Sequence, residues 1–267
     1  MKNNSHFLSV IIPIYKQEKT IKKDLQNIDK TLKQIRYDYE IIAVVDGISI
    51  DKSFKEIKKL KLKKLKIFGY RNNHGKGYAV RYGMAKTKGD YIAFIDAGME
   101  IDPNGISLVL EHMEWYNADV IVASKRHPAS MVKYPPSRKI ISLGAHIISR
   151  YLLGINIHDT QAGLKIFKKQ VLIKVLPRLL VRSYAFDLEI LSVANRLGFS
   201  KIYEAPIKLN YDFTSLTHAT GLKTIYNCLI DALAVFYRLK ILRYYDDQNK
   251  RKWIYNPELD MRINTGQ

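Results

Sequence analysis

Short apolar runs alternate with helical patterns along the first half of the chain, and this alternation constrains the fold more than any other feature. Runs rich in β-branched and aromatic residues predict strands at 7–14, 39–45, 65–69, 91–95 and 119–123. Apolar residues at helical spacing predict helices at 18–35, 75–86 and 106–115, and a basic helix that ends near residue 62. Strands and helices that alternate in this way form βαβ units. We therefore predict an α/β, Rossmann-like fold with a mostly parallel central sheet and helices on both faces.

Polar side chains follow several of these predicted strands. Right-handed crossovers bring the carboxyl ends of parallel strands to one edge of a sheet. We therefore expect these residues to share one crevice: Asp46, Arg71, Asp96 and the run Ser124, Lys125, Arg126. Open α/β sheets bind their ligands at this edge.

The second half of the chain has a different rhythm but no repeat or low-complexity linker. Its patterns predict helices at 138–153 and 184–197 and strands at 164–167 and 201–209. We expect one domain over residues 1–215 and an amphipathic segment over 216–250 that suits a membrane surface. The tail, 251–267, has little periodicity, and we expect it to be disordered.

The charge balance restricts the partners. Forty-four Lys and Arg against 25 Asp and Glu give a net charge of +19, which attracts nucleic acid, anionic membranes or phosphorylated substrates. No nucleic-acid recognition module is present and the aromatic residues fall mostly within predicted elements, so nucleic acid is not an expected partner. The single cysteine, Cys228, excludes a disulfide framework and fits a reducing cytoplasm. No apolar stretch reaches the roughly 18 residues of a spanning helix, so we expect a cytoplasmic protein, peripheral at the cytoplasmic face of the membrane.

Two short segments predict a site for a metal ion and a diphosphate. Asp96, Glu100 and Asp102 gather after the predicted fourth strand, and such hard carboxylates suit Mg²⁺ or Mn²⁺. The run 75–77, Gly-Lys-Gly, opens a predicted helix, where free backbone N–H groups and Lys76 can hold a diphosphate. An ordinary strand–turn–helix corner with solvated acids is the alternative interpretation.

Four segments together resemble the family-2 glycosyltransferases of the glycosyltransferase A fold, and most closely the polyprenyl-phosphate sugar synthases. They are the first strand with its end VIIPIY at 10–15, the segment VVD at 44–46, the run RNNHGKG at 71–77 followed by GDYI at 89–92, and DTQAG at 159–163 with Lys165. The resemblance spans residues 7 to 210.

This resemblance implies roles for particular residues. The implied nucleotide-sugar site consists of Pro13, Tyr15, Asp46, Asn73, Lys76, Asp96 and Ala97. The implied catalytic residues are Asp96, Asp159, Gln161 and Arg126. The implied cradle for an acceptor phosphate consists of Arg126, Arg138 and Ser142. The family's Asp-x-Asp metal signature ends here in Gly98, so we expect Asp96 and Glu100 to hold the Mg²⁺ or Mn²⁺.

The resemblance also implies a reaction. It is the inverting transfer of a hexose, mannose or glucose, from GDP-mannose or UDP-glucose to a polyprenyl phosphate at an anionic membrane surface. A family-2 enzyme with a saccharide or glycolipid hydroxyl as acceptor remains open, as does an inactive relative, which Gly98 would allow. Asp187 and Glu189 are expected either to border the site or to form a solvated helix face.

Overall fold

The computed structural model describes residues 6–131, 154–155, 157–209, 222–248 and 252–264. Its centre is a seven-stranded sheet in the order β3-β2-β1-β4-β6-β5-β7. The strands are β1 Phe7–Ile14, β2 Asp38–Asp46, β3 Leu65–Tyr70, β4 Tyr91–Ile95, β5 Val120–Ser124, β6 Leu164–Lys168 and β7 Ile202–Pro206. Six strands run in one direction and β6 is antiparallel to both of its neighbours. The predicted α/β fold with a mostly parallel sheet is confirmed.

Seven α-helices accompany the sheet in the described part of the chain. They are α1 Ile21–Leu32, α2 Ser53–Lys58, α3 Lys76–Ala85, α4 Gly105–Trp115, α5 Lys169–Val175, α6 Phe186–Arg196 and α7 Leu222–Phe236. A π-helical turn, Tyr237–Ile241, continues α7. The first predicted helix, 18–35, is longer than α1 because periodicity does not mark the capping residues. The predicted helix at 138–153 lies outside the described residues.

Alternation along the strands produces a core on each face of the sheet. Ile11 points to one face, where it joins a buried cluster with Val80 of α3 and Ile190 of α6. Its neighbour Ile12 points to the other, where it joins a cluster with Leu25 of α1. Since a one-residue slip would exchange the two faces, this burial holds the register that aligns the strand ends.

The antiparallel strand β6 brings a further segment to the edge of the sheet where the other strands have their carboxyl ends. Because it runs against its neighbours, its amino end lies beside the carboxyl ends of β4 and β5. The segment 159–163, which precedes β6, therefore comes next to Asp96. The backbone N–H of Asp96 donates to the carbonyl of Gly163 at 2.9 Å.

The C-terminal part packs on the same core. Ala232 and Val235 of α7 and Leu239 of the π-helical turn are buried in the cluster that contains Ile11. The expectation of a disordered tail is wrong: Trp253–Asn256 and Met261–Asn264 form the hairpin β8–β9. Long-range contacts hold this hairpin, such as the bond from the Tyr244 hydroxyl to the Asn264 carbonyl at 2.7 Å, and periodicity cannot reveal them. No helix in the described ranges has the length and apolarity that a membrane crossing requires.

Candidate active site

Asp96 and Lys76 form the centre of the site at the carboxyl edge of the sheet. The Nζ atom of Lys76 lies 2.9 Å from each carboxylate oxygen of Asp96. The side chain of Lys76 is 18% exposed and that of Asp96 is 39% exposed, so the pair is partly open to solvent. Burial works against the charged ammonium, but Asp96 and Asp187 outweigh it and raise the pKa of Lys76. Lys76 is therefore a cation at neutral pH.

Asp46 organises the loop that carries Lys76. Its buried carboxylate accepts hydrogen bonds from Asn73 Nδ2 at 2.8 Å, from the His74 N–H at 2.7 Å and from the Gly75 N–H at 2.9 Å. The predicted neighbours Asp46 and Asn73 thus meet, but the carboxylate of Asp46 is used to shape the loop. A role for Asp46 in holding a nucleotide stays a prediction.

The opening of α3 differs from the prediction of free backbone N–H groups. The N–H groups of Gly77 and Tyr78 donate to the carbonyl of Arg182 at 2.9 and 3.3 Å. Gly75 has a φ of +97°, and a Cβ there would lie 2.5 Å from the same carbonyl oxygen. Residue 75 must be glycine because the start of α3 and the backbone of Arg182 approach each other so closely. The N–H groups of Gly77 and Tyr78 are therefore not free, and a role for Lys76 in holding a diphosphate stays a prediction.

A buried ion pair between Lys165 and Asp187 lies behind Lys76. The sequence analysis named Lys165 in a matched segment and Asp187 as a residue that could border the site, but it did not predict that the two are paired. Lys165 Nζ donates to Asp187 Oδ1 at 2.6 Å and to the carbonyl of Ala162 at 2.7 Å, and both charged side chains are almost fully buried. Asp187 Oδ2 lies 3.7 Å from Lys76 Nζ. The signal available in the sequence was a lysine between apolar neighbours in β6, opposite Phe94 of β4.

Glu189, one turn after the start of α6, is also buried. It accepts hydrogen bonds from the N–H groups of Leu180 and Val181, the latter at 2.8 Å, and from the Tyr245 hydroxyl at 2.6 Å. These bonds fix the segment next to Arg182, whose carbonyl caps α3. The interpretation of Asp187 and Glu189 as a solvated helix face is therefore wrong.

Asp159 lies close to the basic residues that follow β5. Its buried carboxylate accepts from the N–H of Lys125 at 2.9 Å. The predicted residues Gln161 and Arg126 are both half-buried near this turn. Arg138 and Ser142 lie outside the described residues, so of the predicted acceptor-phosphate cradle only Arg126 can be placed.

Gly163 allows the Asp96 carboxylate to take its position. A Cβ at residue 163 would lie 2.3 Å from Asp96 Oδ2 and 2.7 Å from Asp96 Cγ. The glycine in the segment 159–163 is thus a steric requirement of the site.

The turn after Asp96 explains why Gly98 departs from the Asp-x-Asp signature. Gly98 has a φ of +97°, a conformation that favours glycine, although only Gln17 comes within 4 Å of the position that a Cβ would take. Backbone conformation, and not lack of space, therefore disfavours a second aspartate. Glu100 follows two residues later with an exposed side chain.

A divalent metal ion fits these residues only if substrate oxygens complete its coordination. Within the described ranges, no group of three or more His, Cys, Asp or Glu side chains is placed to hold a metal ion. Mg²⁺ is commonly bound by one or two carboxylates together with substrate phosphates. Asp96 can supply one carboxylate once Lys76 no longer contacts the Asp96 oxygens. Glu100 is the other candidate ligand.

The remaining predicted donor residues lie at or near the carboxyl ends of β1 and β4. Pro13 is half-buried opposite Val44, Tyr15 is exposed at the end of β1, and Ala97 follows Asp96. A cleft of about 460 Å³ opens directly after Tyr15, between residues 16–20 and residues 50–51. Pro13, Tyr15 and Ala97 are not among the residues that line this cleft.

The fold with its edge of charged residues is that of the glycosyltransferase A class, as solved structures confirm. Mannosyl-3-phosphoglycerate synthase from Rubrobacter xylanophilus superposes with a TM-score of 0.68 at 16% identity, covering 97% of this chain and 85% of that one. Glucosyl-3-phosphoglycerate synthase from Mycobacterium tuberculosis, in complex with Mn²⁺, UDP and phosphoglyceric acid, gives a TM-score of 0.64 at 17% identity. It covers 97% of this chain and 86% of its own.

The sequence assigns the family within this class. The pattern of Glycosyl transferase family 2 matches residues 9–176, and the chain belongs to this family. It is 29% identical over 207 residues to a dolichyl-phosphate beta-glucosyltransferase of Dictyostelium discoideum, which covers 72% of this chain. A second dolichyl-phosphate beta-glucosyltransferase, from Trichomonas vaginalis, is 30% identical over 250 residues, covering 88% of this chain and 75% of its own length.

A third relative has a different sugar in its name. The UDP-N-acetylglucosamine–dolichyl-phosphate N-acetylglucosaminyltransferase of Methanococcus voltae is 27% identical over 252 residues, covering 88% of this chain and 95% of its own. The chain spans 63% of the length of the Dictyostelium relative. The predicted resemblance to polyprenyl-phosphate sugar synthases is confirmed.

Proposed function

We propose that this enzyme is an inverting glycosyltransferase that moves a hexose from a nucleotide sugar to a polyprenyl phosphate, with UDP-glucose as the first candidate donor. Support for the acceptor comes from the three relatives, each named for a transfer to dolichyl phosphate. Glucose is favoured over mannose because two of them are named glucosyltransferases. The observation that carries the proposal is the Lys76–Asp96 pair at the strand edge, a cation beside a carboxylate where a sugar diphosphate would lie.

On the donor side, the task is to stabilise the negative charge that builds on the departing diphosphate. Lys76 supplies a positive charge in a partly buried place, where electrostatic stabilisation is strong. A Mg²⁺ or Mn²⁺ ion bound to Asp96 and Glu100 would add Lewis-acid neutralisation of the same charge. Pro13, Tyr15, Asp46, Asn73 and Ala97 surround the donor in this proposal.

On the acceptor side, the structure favours a phosphate over a hydroxyl. A hydroxyl acceptor needs a general base, and the carboxylate of Asp159 is buried and already accepts the Lys125 N–H. A phosphate oxygen is anionic and needs no base, so it can attack the anomeric carbon from the face opposite the diphosphate and invert it. Asp159 orients the turn that carries Arg126, and a guanidinium suits phosphate oxygens. Gln161 is assigned to the neighbouring sugar.

The C-terminal helix supplies a surface for a lipid-borne acceptor. Large apolar side chains at helical spacing are exposed along α7 and the π-helical turn: Tyr226, Leu229, Ile230, Leu233, Tyr237 and Ile241. With a net charge of +19 on the chain and Lys240 beside this stripe, an anionic membrane surface is the matching partner. We place the enzyme at the cytoplasmic face of the membrane.

A transfer assay tests the reaction. The enzyme is incubated with Mn²⁺, a polyprenyl phosphate and labelled UDP-glucose or GDP-mannose, and label in the lipid phase reports transfer. Asp96→Asn should nearly abolish transfer without lowering the melting temperature by more than a few degrees. Asp90→Asn, at the opposite end of β4, is the matched control and should retain activity. Transfer only to saccharides, or full activity of Asp96→Asn, would overturn the proposal.

Vesicle sedimentation tests the membrane surface. The enzyme should sediment with anionic vesicles more than with neutral ones, because the stripe adds apolar insertion to charge attraction. Leu233→Glu should weaken this binding several-fold. Ile173→Glu changes an exposed apolar residue of α5 away from the stripe and should leave binding unchanged. Equal binding by both variants would exclude the α7 stripe as the docking surface.

A further inference from the structure

Four charged side chains of alternating sign run from the mouth of the site into the core. Asp96 is the outermost, followed by Lys76, Asp187 and Lys165. The successive nitrogen–oxygen distances are 2.9 Å, 3.7 Å and 2.6 Å. The exposed fraction of the side chains falls from 39% at Asp96 to 0% at Lys165. The series carries no net charge, which suits its burial.

The distances show how Asp187 is shared between two lysines. Lys165 is close to it and is also anchored to the carbonyl of Ala162 at 2.7 Å. Lys76 is more than 1 Å farther from Asp187 than Lys165 is, and it is close to Asp96. Ion interactions are strong at such separations in a poorly hydrated interior. The division of the Asp187 charge therefore decides where the flexible Lys76 side chain rests.

We propose that Lys165 and Asp187 are positioning residues for Lys76. Lys165 takes up most of the charge of Asp187, so the Lys76 ammonium stays at the mouth, where the donor diphosphate binds. When another cation binds Asp96, Asp187 keeps the Lys76 ammonium in the site. This inference rests on the proposed function, because it presumes that Lys76 meets the diphosphate.

Removal of the Lys165 charge should move the Lys76 side chain away from the donor site. In Lys165→Met, Asp187 keeps its full charge and draws Lys76 inward, which also neutralises the buried carboxylate. In the double variant Lys165→Met/Asp187→Asn, no buried charge remains to draw Lys76 away from Asp96. If the Lys165–Asp187 pair only stabilised the fold, both variants would have a lower melting temperature. The folded protein of each variant would then bind the diphosphate as the unchanged enzyme does.

The test is calorimetric titration with UDP, and with GDP in parallel, each with and without Mn²⁺. Lys165→Met should weaken diphosphate binding about tenfold or more. Without Mn²⁺, where Asp96 is free to hold Lys76, the double variant should regain most of the loss, a coupling typical of residues in one network. Lys165→Gln is made in parallel, since its amide can still donate to Asp187 and should keep the fold. Lys168→Met, a lysine on the same strand that bonds Asn117 at the surface, is the matched control and should bind as the unchanged enzyme does.

The outcomes separate this inference from the proposed function. Failure of the unchanged enzyme to bind either nucleotide, or unaltered binding by Lys76→Met, would refute the donor site itself. Weakened binding by Lys76→Met together with unaltered binding by the Lys165 variants would refute only the positioning role. A double variant that, without Mn²⁺, binds no better than Lys165→Met would also refute it.

Discussion

Alanine in place of Gly163 would put a methyl group against the carboxylate of Asp96. The added Cβ would lie 2.3 Å from Oδ2, 2.7 Å from Cγ and 3.1 Å from Cβ of that residue. Because real Cβ atoms keep at least about 3.0 Å from other heavy atoms, the carboxylate must shift by about 0.7 Å. The backbone cannot easily yield, since the Gly163 carbonyl accepts the N–H of Asp96 at 2.9 Å.

This shift should cost far more activity than stability. It breaks the symmetric 2.9 Å contacts between Lys76 and the two oxygens of Asp96, and a misplacement near 1 Å can cost roughly 10²-fold in rate. We expect kcat/KM to fall by about two orders of magnitude, close to 2.7 kcal/mol. Overpacking should lower the free energy of unfolding by about 1–3 kcal/mol.

The assay compares transfer of labelled sugar to polyprenyl phosphate with thermal unfolding of the same preparations. Gly105→Ala is the matched control, because a Cβ there meets its nearest atom at 3.6 Å, an ordinary contact at the start of α4. This control should be neutral or slightly stabilising. A Gly163→Ala enzyme with unchanged kcat/KM would refute the claim that the glycine makes room for Asp96.

Two further substitutions test the backbone and the buried network. Gly98→Ala should lower the free energy of unfolding by about 1–2 kcal/mol because of the positive φ, and Gly98→Asp should lower it less, because aspartate tolerates this conformation better than alanine. Chemical denaturation measures both, and an unchanged free energy of unfolding in Gly98→Ala would contradict this cause. Tyr245→Phe removes a 2.6 Å bond to the buried Glu189 and should cost about 1.5–3 kcal/mol. The hydroxyl of Tyr255 bonds Asp260 at the surface, so the control Tyr255→Phe should cost less than about 0.5 kcal/mol. Similar losses in the two tyrosine variants would show that the hydrogen bonds of Glu189 do not stabilise the fold.

Local pattern was sufficient for the architecture but not for the roles of individual side chains. The apolar run at 91–95 coincides with β4, because a fully buried strand has a recognisable composition. The run at 71–77 indicated that Lys76 is a site residue. It could not show that Asp46 closes this loop through three hydrogen bonds, because those partners lie 27 to 29 residues away. The same limit applies to the amides at the start of α3, which the distant Arg182 carbonyl satisfies.

The sequence by itself determined the α/β class, the family and the strand end at which Asp96 stands, since these depend on short-range periodicity and on ordered motifs. Only the tertiary structure decided that β6 runs antiparallel, which brings Gly163 against Asp96. It also decided that Lys165 and Asp187 are paired in the core behind Lys76. The physical reason is that a buried charge is defined by its partner, and here each partner comes from a different element of the fold.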